Sequence, residues 1–178
     1  MQERFKHRLT PHVPHSDATQ RLAFNQMSPR DVTAVLANAR ALQRAAEAGK
    51  TQPLLRGKNF GLLCEADDDG DAALFRRAAV ELGAQVTLIR PSLSELSTPQ
   101  EVQHTARVLG RLYDAVECQG MAPALVQQVR NDAGVPVYDG IASQDHPTAK
   151  LADLLGGATS PADNRRFVLQ ALLLTTIA

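Results

Sequence analysis

The sequence NFGLLCEADDDGDAALFRRAAVELGAQVTLI, residues 59–89, contains one strand–helix–strand repeat, from which the fold class can be predicted. A short apolar run, 59–64, precedes a segment with a helical pattern, 71–82, which Gly83 stops. A second apolar run, 85–89, then follows. Short apolar strands on either side of a helix are typical of a βαβ unit, in which parallel strands form a sheet that is buried on both faces.

The same alternation continues towards the carboxyl end of the chain. Helical patterns over 100–110, 121–131 and 147–155 are separated by apolar runs over 113–118 and 135–138. We therefore predict an α/β three-layer sandwich, in which a four-stranded parallel sheet is flanked by helices. Ligands of such sheets bind beyond the carboxyl ends of the strands, so we expect the functional site in the segments that follow them.

A further helix is expected on each side of this alternation. Ser28 and Pro29 suit an N-cap and a first helical residue, so they predict a helix that Gly49 ends. The segment from Ser160 to Ala178 is also helical in pattern, and it is apolar enough to need a partner surface. We therefore expect this C-terminal helix to pack back on the domain.

These elements divide the chain into three parts. Residues 1–26 mix charged residues with histidines and prolines and show no period, so we interpret them as a flexible or surface-bound leader. Residues 27–157 form the predicted domain. Residues 158–178 are the helix that completes the same domain.

The composition excludes several classes of function. The 178 residues include 19 basic and 19 acidic side chains, whereas binding to nucleic acid or to a membrane surface usually needs a basic excess. We find no secretory signal and no apolar run that could span a bilayer, so we expect a cytoplasmic protein. Cys64 and Cys118 lie inside apolar runs, where we expect buried thiols, and we expect no cofactor.

Several short motifs follow one another in the predicted domain. They are MSP at 27–29, LLRGK at 54–58, TARVL at 105–109, VPVYDG at 135–140, and DHPT at 145–148 with LADLL at 151–155. In order and spacing they resemble the carbamoyl-phosphate-binding (N-terminal) domain of the ornithine/aspartate carbamoyltransferase family. The resemblance implies an enzyme that transfers a carbamoyl group from carbamoyl phosphate to an amino acid and that assembles into trimers.

The resemblance also implies that part of the family's chain is absent here. In the family a second domain binds the amino acid, and a final helix then returns to the first domain. Asp163, Asn164 and Arg165 resemble the start of that final helix, and residues 156–159 would join it directly to the first domain. We therefore expect a chain that lacks the amino-acid-binding domain.

The stretch that the resemblance assigns to phosphate binding is altered. The family has an STRTR motif after the first strand, where backbone N–H groups, hydroxyls and arginines surround the phosphate dianion. The residues at those positions here are Asp68, Asp69, Gly70, Asp71 and Ala72. Acidic side chains repel a phosphate by roughly 1 kcal/mol per close pair even at high dielectric, so we expect a degenerate, non-catalytic pocket.

Three further positions complete the expected pocket. Gln119 stands where the family has an arginine that contacts the carbamoyl group, and Ala149 replaces the glutamine of the family's HPxQ motif. His146 of that motif is present and could polarise a carbonyl, as the family histidine does. With the other groups replaced, we assign no catalytic residue in this chain.

The acidic loop after the first strand has other interpretations. Its acids are spaced like the start of a calcium loop, and these metal candidates are Glu65, Asp67, Asp69 and Asp71. Arg76, however, stands where such a loop needs a bidentate glutamate. A divalent-cation site is therefore one interpretation, and a helix cap formed by Asp69 or Asp71 is another. A third is a cationic or amine-bearing ligand in the former phosphate pocket.

Three functions therefore stay open. The first is a non-catalytic carbamoyltransferase-like protein that serves as an assembly or regulatory subunit, as a homotrimer or together with a genuine carbamoyltransferase. The second is a binder of a small molecule or divalent cation in the remodelled pocket. The third is a residual carbamoyltransferase that needs a partner chain, because positioning and charge stabilisation supply the rate of such a transfer.

Overall fold

A computed structural model describes residues 27–65 and 70–177. The predicted leader, 1–26, and the acidic residues Asp67, Asp68 and Asp69 lie outside the described residues. Within the described ranges no helix is both long enough and apolar enough to cross a lipid bilayer.

Four parallel strands form the sheet. They are β1 (Asn59–Leu63), β2 (Gln85–Ile89), β3 (Ala115–Cys118) and β4 (Val137–Asp139). Their order across the sheet is β2-β1-β3-β4, so β1 and β3 are the inner strands. The register sets Leu63 beside Ile89 on one side and Cys118 on the other, so the carboxyl ends of the strands share one edge. The predicted four-stranded parallel sheet is confirmed.

Six α-helices flank the sheet in two layers. They are α1 (Pro29–Glu47), α2 (Gly70–Glu81), α3 (Pro99–Leu112), α4 (Pro123–Ala133), α5 (Leu151–Leu155) and α6 (Pro161–Ile177), and a 3₁₀ helix (Pro147–Lys150) precedes α5. Buried residues of α1, α2, α5 and α6 form one core with one face of the sheet, whereas those of α3 and α4 form a second core on the other face. The fold is therefore the three-layer α/β sandwich that the sequence predicts.

Capping side chains fix where two of the helices begin. At the start of α1, Ser28 Oγ accepts from the Asp31 N–H at 3.2 Å, and Asp31 Oδ2 accepts from the Ser28 N–H at 3.1 Å. Thr98 and Glu101 form the same capping box at α3. Such boxes satisfy N–H groups that have no partner within the helix, and a proline follows each cap where its missing N–H has no cost.

The last helix, α6, is enclosed by the rest of the domain. Its residues 164–173 are buried without a break, because α1, α2 and α5 pack around it. It follows α5 after the short segment 156–160, and Gln43 of α1 donates to the Gly156 carbonyl oxygen in that segment at 3.1 Å. The predicted return of this helix onto the domain is confirmed.

Candidate functional site

The candidate site lies where β1, β3 and β4 end. Gln119 directly follows β3, and its backbone N–H donates to the Leu63 carbonyl oxygen at 2.8 Å, which fixes it at this edge of the sheet. Its Nε2 lies 3.5 Å from Oδ2 of Asp71 in the first turn of α2, at the limit of a hydrogen bond. Gly70, the exposed first residue of α2, precedes Asp71. The structure thus brings together two of the predicted site residues, Asp71 and Gln119.

His146 and Ala149 lie on the segment after β4. His146 caps the 3₁₀ helix, with its Nδ1 at 2.8 Å from Thr148 Oγ1 and 3.3 Å from the Thr148 backbone nitrogen. Burial and the neighbouring charge of Arg165 lower the pKa of His146 to about 4, so its imidazole is neutral at pH 7. Ala149 is half-buried and has no polar group in its side chain. Neither residue offers a positive charge to a phosphate.

Arg165 of α6 is a further site residue, for which no role was predicted from the sequence. Its buried side chain donates from Nη2 to the carbonyl oxygens of Ile141 at 2.5 Å and Ser143 at 3.3 Å. Its Nη1 donates to Thr148 Oγ1 at 3.2 Å. The available signal was an arginine inside a largely apolar helix, because a charge buried in such a helix needs specific partners.

The charge of Arg165 connects the two halves of the site. Burial lowers its pKa to about 10, and the negative charges of Asp71 and Glu117 act in the opposite direction. The same guanidinium lowers the pKa of His146. The residues after β3 and those after β4 therefore share one electrostatic environment.

Glu117, in β3, is the most unusual side chain of the site. It is fully buried, and neither of its carboxyl oxygens has a hydrogen-bond partner in the part of the chain that the structure describes. Burial raises the pKa of Glu117 to about 8, and the charges of Asp139 and Asp71 add to this rise. The charge of Arg165 opposes it, as does the nearby backbone N–H of Ile141, although that N–H does not meet the geometry of a hydrogen bond. Glu117 therefore keeps its proton at pH 7. The sequence carries one signal for this residue, a single acid within an otherwise apolar strand. The sequence analysis predicts the strand but no role for the acid.

Two neighbours of Glu117 also have shifted pKa values. Burial raises the pKa of Asp139 at the end of β4, and Arg130 opposes that rise. Burial, with smaller contributions from Glu117 and Asp139, raises the pKa of Cys118 to about 12, so its thiol stays protonated. The prediction that Cys64 and Cys118 are buried is confirmed.

The metal interpretation of the acidic loop stays a prediction. Two of its candidates, Asp67 and Asp69, are outside the described residues, and Glu65 is exposed two residues after the end of β1. Among residues 27–65 and 70–177, no group of three or more His, Cys, Asp and Glu side chains could hold a metal ion.

Solved structures share this arrangement of strands and helices. The ornithine carbamoyltransferase from Pyrococcus furiosus aligns with 71% of this chain at a TM-score of 0.61 and 26% identity, over 40% of that enzyme's chain. The aspartate transcarbamoylase from Trypanosoma cruzi, solved with carbamoyl aspartate and phosphate, aligns with 74% of this chain at a TM-score of 0.59 and 25% identity, over 43% of its own chain. The fold is therefore that of one carbamoyltransferase domain.

Sequence comparison identifies which domain this is. Residues 20–156 match the family described as aspartate/ornithine carbamoyltransferase, carbamoyl-P binding domain. Ornithine carbamoyltransferases from Haemophilus influenzae (strain PittGG) and Actinobacillus pleuropneumoniae (serotype 5b, strain L20) are 41% and 40% identical over 134 residues, which are 75% of this chain and 40% of each relative. The chain belongs to the aspartate/ornithine carbamoyltransferase family, and the predicted resemblance is confirmed.

Proposed function

We propose that this chain is a carbamoyltransferase-like domain that does not bind carbamoyl phosphate and that serves in the cytoplasm as an assembly or regulatory subunit. The observation that carries the proposal is the approach of Gln119 to Asp71, two residues at positions where the resemblance expects ligand-binding groups of the family, beside the buried acid Glu117. The chain spans 40% of the length of the ornithine carbamoyltransferases it matches. We therefore do not infer their catalytic activity for this chain.

The charges of the site support a loss of phosphate binding. A doubly negative phosphate at the strand ends would approach Asp71 and Asp139. At about 4–5 Å and an effective dielectric near 20, each pair of like unit charges costs roughly 3–4 kcal/mol. Arg165 offers little compensation, because its guanidinium already donates to the carbonyl oxygens of Ile141 and Ser143.

The groove between α2 and β2 supports the assembly role. Val80 of α2 and Leu88 of β2 both line it and are 50% and 37% exposed. Because β2 is an edge strand, this apolar surface continues to the rim of the sheet. Exposed apolar surface next to a sheet edge favours contact with another chain. We propose a homotrimer, or a mixed assembly with a genuine carbamoyltransferase.

Calorimetric titration with carbamoyl phosphate tests the loss of binding. We expect no heat of binding up to millimolar ligand, whereas a genuine ornithine carbamoyltransferase titrated in parallel should bind. Citrulline and carbamoyl-aspartate formation should be assayed for the chain alone and mixed with that enzyme. Micromolar affinity for carbamoyl phosphate would overturn the proposal, and activity that appears only in the mixture would favour a residual transferase that needs a partner.

Light scattering after size-exclusion chromatography tests the assembly role. We expect a mass three times that of the 19.2 kDa chain, and we expect Leu88→Glu to reduce it. Leu112→Glu is the matched control, because Leu112 is 60% exposed at the end of α3, in the helix layer on the opposite face of the sheet. A strict monomer that also fails to join a genuine carbamoyltransferase would contradict this role.

A further inference from the structure

We propose that the ends of β1, β3 and β4 bind a small primary-ammonium group, with the buried side-chain oxygens of Glu117 and Gln119 as its acceptors. The inference rests on the proposed function in one respect: a pocket arranged for a cation cannot also favour a phosphate dianion. It goes beyond that function by naming the chemical class of the ligand and the atoms that hold it.

Unpartnered acceptors carry the inference. Both carboxyl oxygens of Glu117 and Oε1 of Gln119 have no hydrogen-bond partner among the described residues. Glu117 is fully buried and Gln119 is 7% exposed, so bulk water does not satisfy these atoms. Buried acceptors without donors destabilise a fold, and each such group in a native protein needs an explanation. A primary ammonium has three N–H donors, which is the number of unpartnered oxygens here.

The positions of these two side chains fit a shared ligand. Residues 117 and 119 are two apart along an extended segment, so their side chains point to the same face of the sheet. Gln119 turns its Nε2 towards Asp71, and its Oε1 lies 4.0 Å from the position that a Cβ of Gly140 would occupy. The amide oxygen therefore points towards β4 rather than to solvent, on the side where Asp139 ends that strand.

The surrounding charges select a cation. Charged and titratable groups act on Glu117 or respond to it from four elements. They are Asp71 of α2, Arg165 of α6, Asp139 and Tyr138 of β4, and Cys118 of β3. Tyr138 and Cys118 are neutral at pH 7 because burial raises the pKa of each. Asp71 and Asp139, and Glu117 once it has lost its proton, then face the charge of Arg165, so a bound cation improves the balance.

Binding is coupled to the loss of a proton from Glu117. The neutral carboxyl donates one hydrogen bond, so it must lose its proton before both oxygens can accept from an ammonium. We therefore expect the affinity to rise with pH by about tenfold per unit below the pKa of Glu117 and to level off above pH 8.

The probe is methylammonium chloride. Its binding is monitored by an NMR titration of the backbone amide signals of residues 115–120 at pH 6, 7 and 8. A ligand with two heavy atoms binds at best in the millimolar range, so NMR suits the expected affinity. Potassium chloride at the same ionic strength and methanol are the controls, because one lacks N–H donors and the other lacks charge. We expect shifts that saturate with methylammonium only. Equal effects of potassium or methanol, or no saturable shift at pH 8, would overturn the inference.

Two variants separate binding from folding. Glu117→Gln keeps the shape of the neutral acid, and we expect it to bind methylammonium at least tenfold more weakly and without dependence on pH. Gln119→Leu, which removes one acceptor, should weaken binding while leaving the pH dependence. Glu95→Gln, which removes an exposed charge from the loop after β2, is the matched control and should bind normally. Unchanged pH-dependent binding by Glu117→Gln would contradict the assignment.

The carbamoyl phosphate titration distinguishes this inference from the proposed function. If the protein binds neither ligand, the ammonium site is wrong and the loss of phosphate binding stands. If it binds carbamoyl phosphate, both are wrong.

Discussion

Arg165 of α6 donates from Nη2 to the carbonyl oxygen of Ile141 at 2.5 Å, which joins the last helix to the loop after β4. The same guanidinium donates to Ser143 and Thr148, so one side chain satisfies three acceptors in that loop. The loop also carries His146, a site residue. Its shape therefore depends on a helix that lies outside the range matched by the family, 20–156.

Replacing Arg165 should strongly destabilise the protein. Arg165→Met fills a similar volume but leaves the carbonyl oxygens of Ile141 and Ser143 without their donor, and we expect a loss of about 2–4 kcal/mol in the free energy of unfolding. Urea denaturation measures it. Arg90→Ala, at an exposed position after β2, is the control and should change stability by less than about 0.5 kcal/mol. A similar small change in both variants would show that the Arg165 contacts contribute little.

Glu117 should make stability fall as the pH rises. The folded state holds its proton up to about pH 8, whereas the unfolded chain releases it near 4.5, so its contribution is complete below pH 4.5 and lost above pH 8. Between pH 7 and 8.5 this effect is the largest of the three, because His146 in the unfolded chain has released most of its proton above its ordinary pKa of 6.5 and Cys118 has an ordinary pKa of 9.0. Urea denaturation across this range should show a decline in wild type.

The Glu117→Gln variant tests the cause of that decline. We expect a flat profile and a greater stability than wild type at pH 8.5, by up to a few kcal/mol, since one unit of pKa difference corresponds to about 1.4 kcal/mol. Glu47→Gln, at an exposed position at the end of α1, should keep the slope of the wild type. A slope that persists in Glu117→Gln would mean that another group titrates.

Gln43 should stabilise the attachment of α6. Its Nε2 donates to the Gly156 carbonyl oxygen at 3.1 Å and to Thr159 Oγ1 at 2.5 Å, and the side chain is buried. We expect Gln43→Leu to cost about 1–3 kcal/mol and to speed amide hydrogen exchange in 156–164 before the rest of the domain. Gln127→Leu, on the exposed face of α4, is the control. Uniform exchange across the chain would argue against a local role.

Gly110 should tolerate no larger residue. A Cβ at this position would lie 1.7 Å from the carbonyl oxygen of Ala133, because α3 and the end of α4 approach each other closely there. We expect Gly110→Ala to cost at least about 3 kcal/mol, or to prevent folding, in urea denaturation. Gly70→Ala is the matched control, since no atom of residues 27–65 or 70–177 lies within 4 Å of the added group. Equal stability of the two variants would contradict this contact.

The sequence predicted the elements of the fold better than it predicted the site. Strands such as β1 are apolar and short, and helix starts such as Ser28 carry local capping signals, so both can be found without tertiary information. Gln119 and Asp71 could be placed at the strand ends because the strands that precede them are recognisable in the sequence. Glu117 could not, because an acid in a strand is usually exposed on one face, and its burial depends on the helices that cover β3.

The last helix shows a second limit of the sequence. The apolar pattern of α6 predicts a buried stripe that includes Leu172 and reaches Thr175. In the structure Thr175 is exposed, whereas Arg165, Arg166 and Gln170 are buried. A polar residue of this kind is buried only because partners from distant parts of the chain, such as the Ile141 carbonyl for Arg165, surround it. Such partners are set by the tertiary arrangement and not by local periodicity.

The enclosed position of α6 sets an order of events during synthesis. The apolar faces of α1 and α2 leave the ribosome early, but the helix that covers them is made more than 80 residues after α2 begins. A nascent chain halted at 156–160 would therefore expose these faces to chaperones and to other nascent chains. The layer can close only when 161–177 have left the ribosome, so α1 and α2 wait for their cover through the synthesis of the whole sheet.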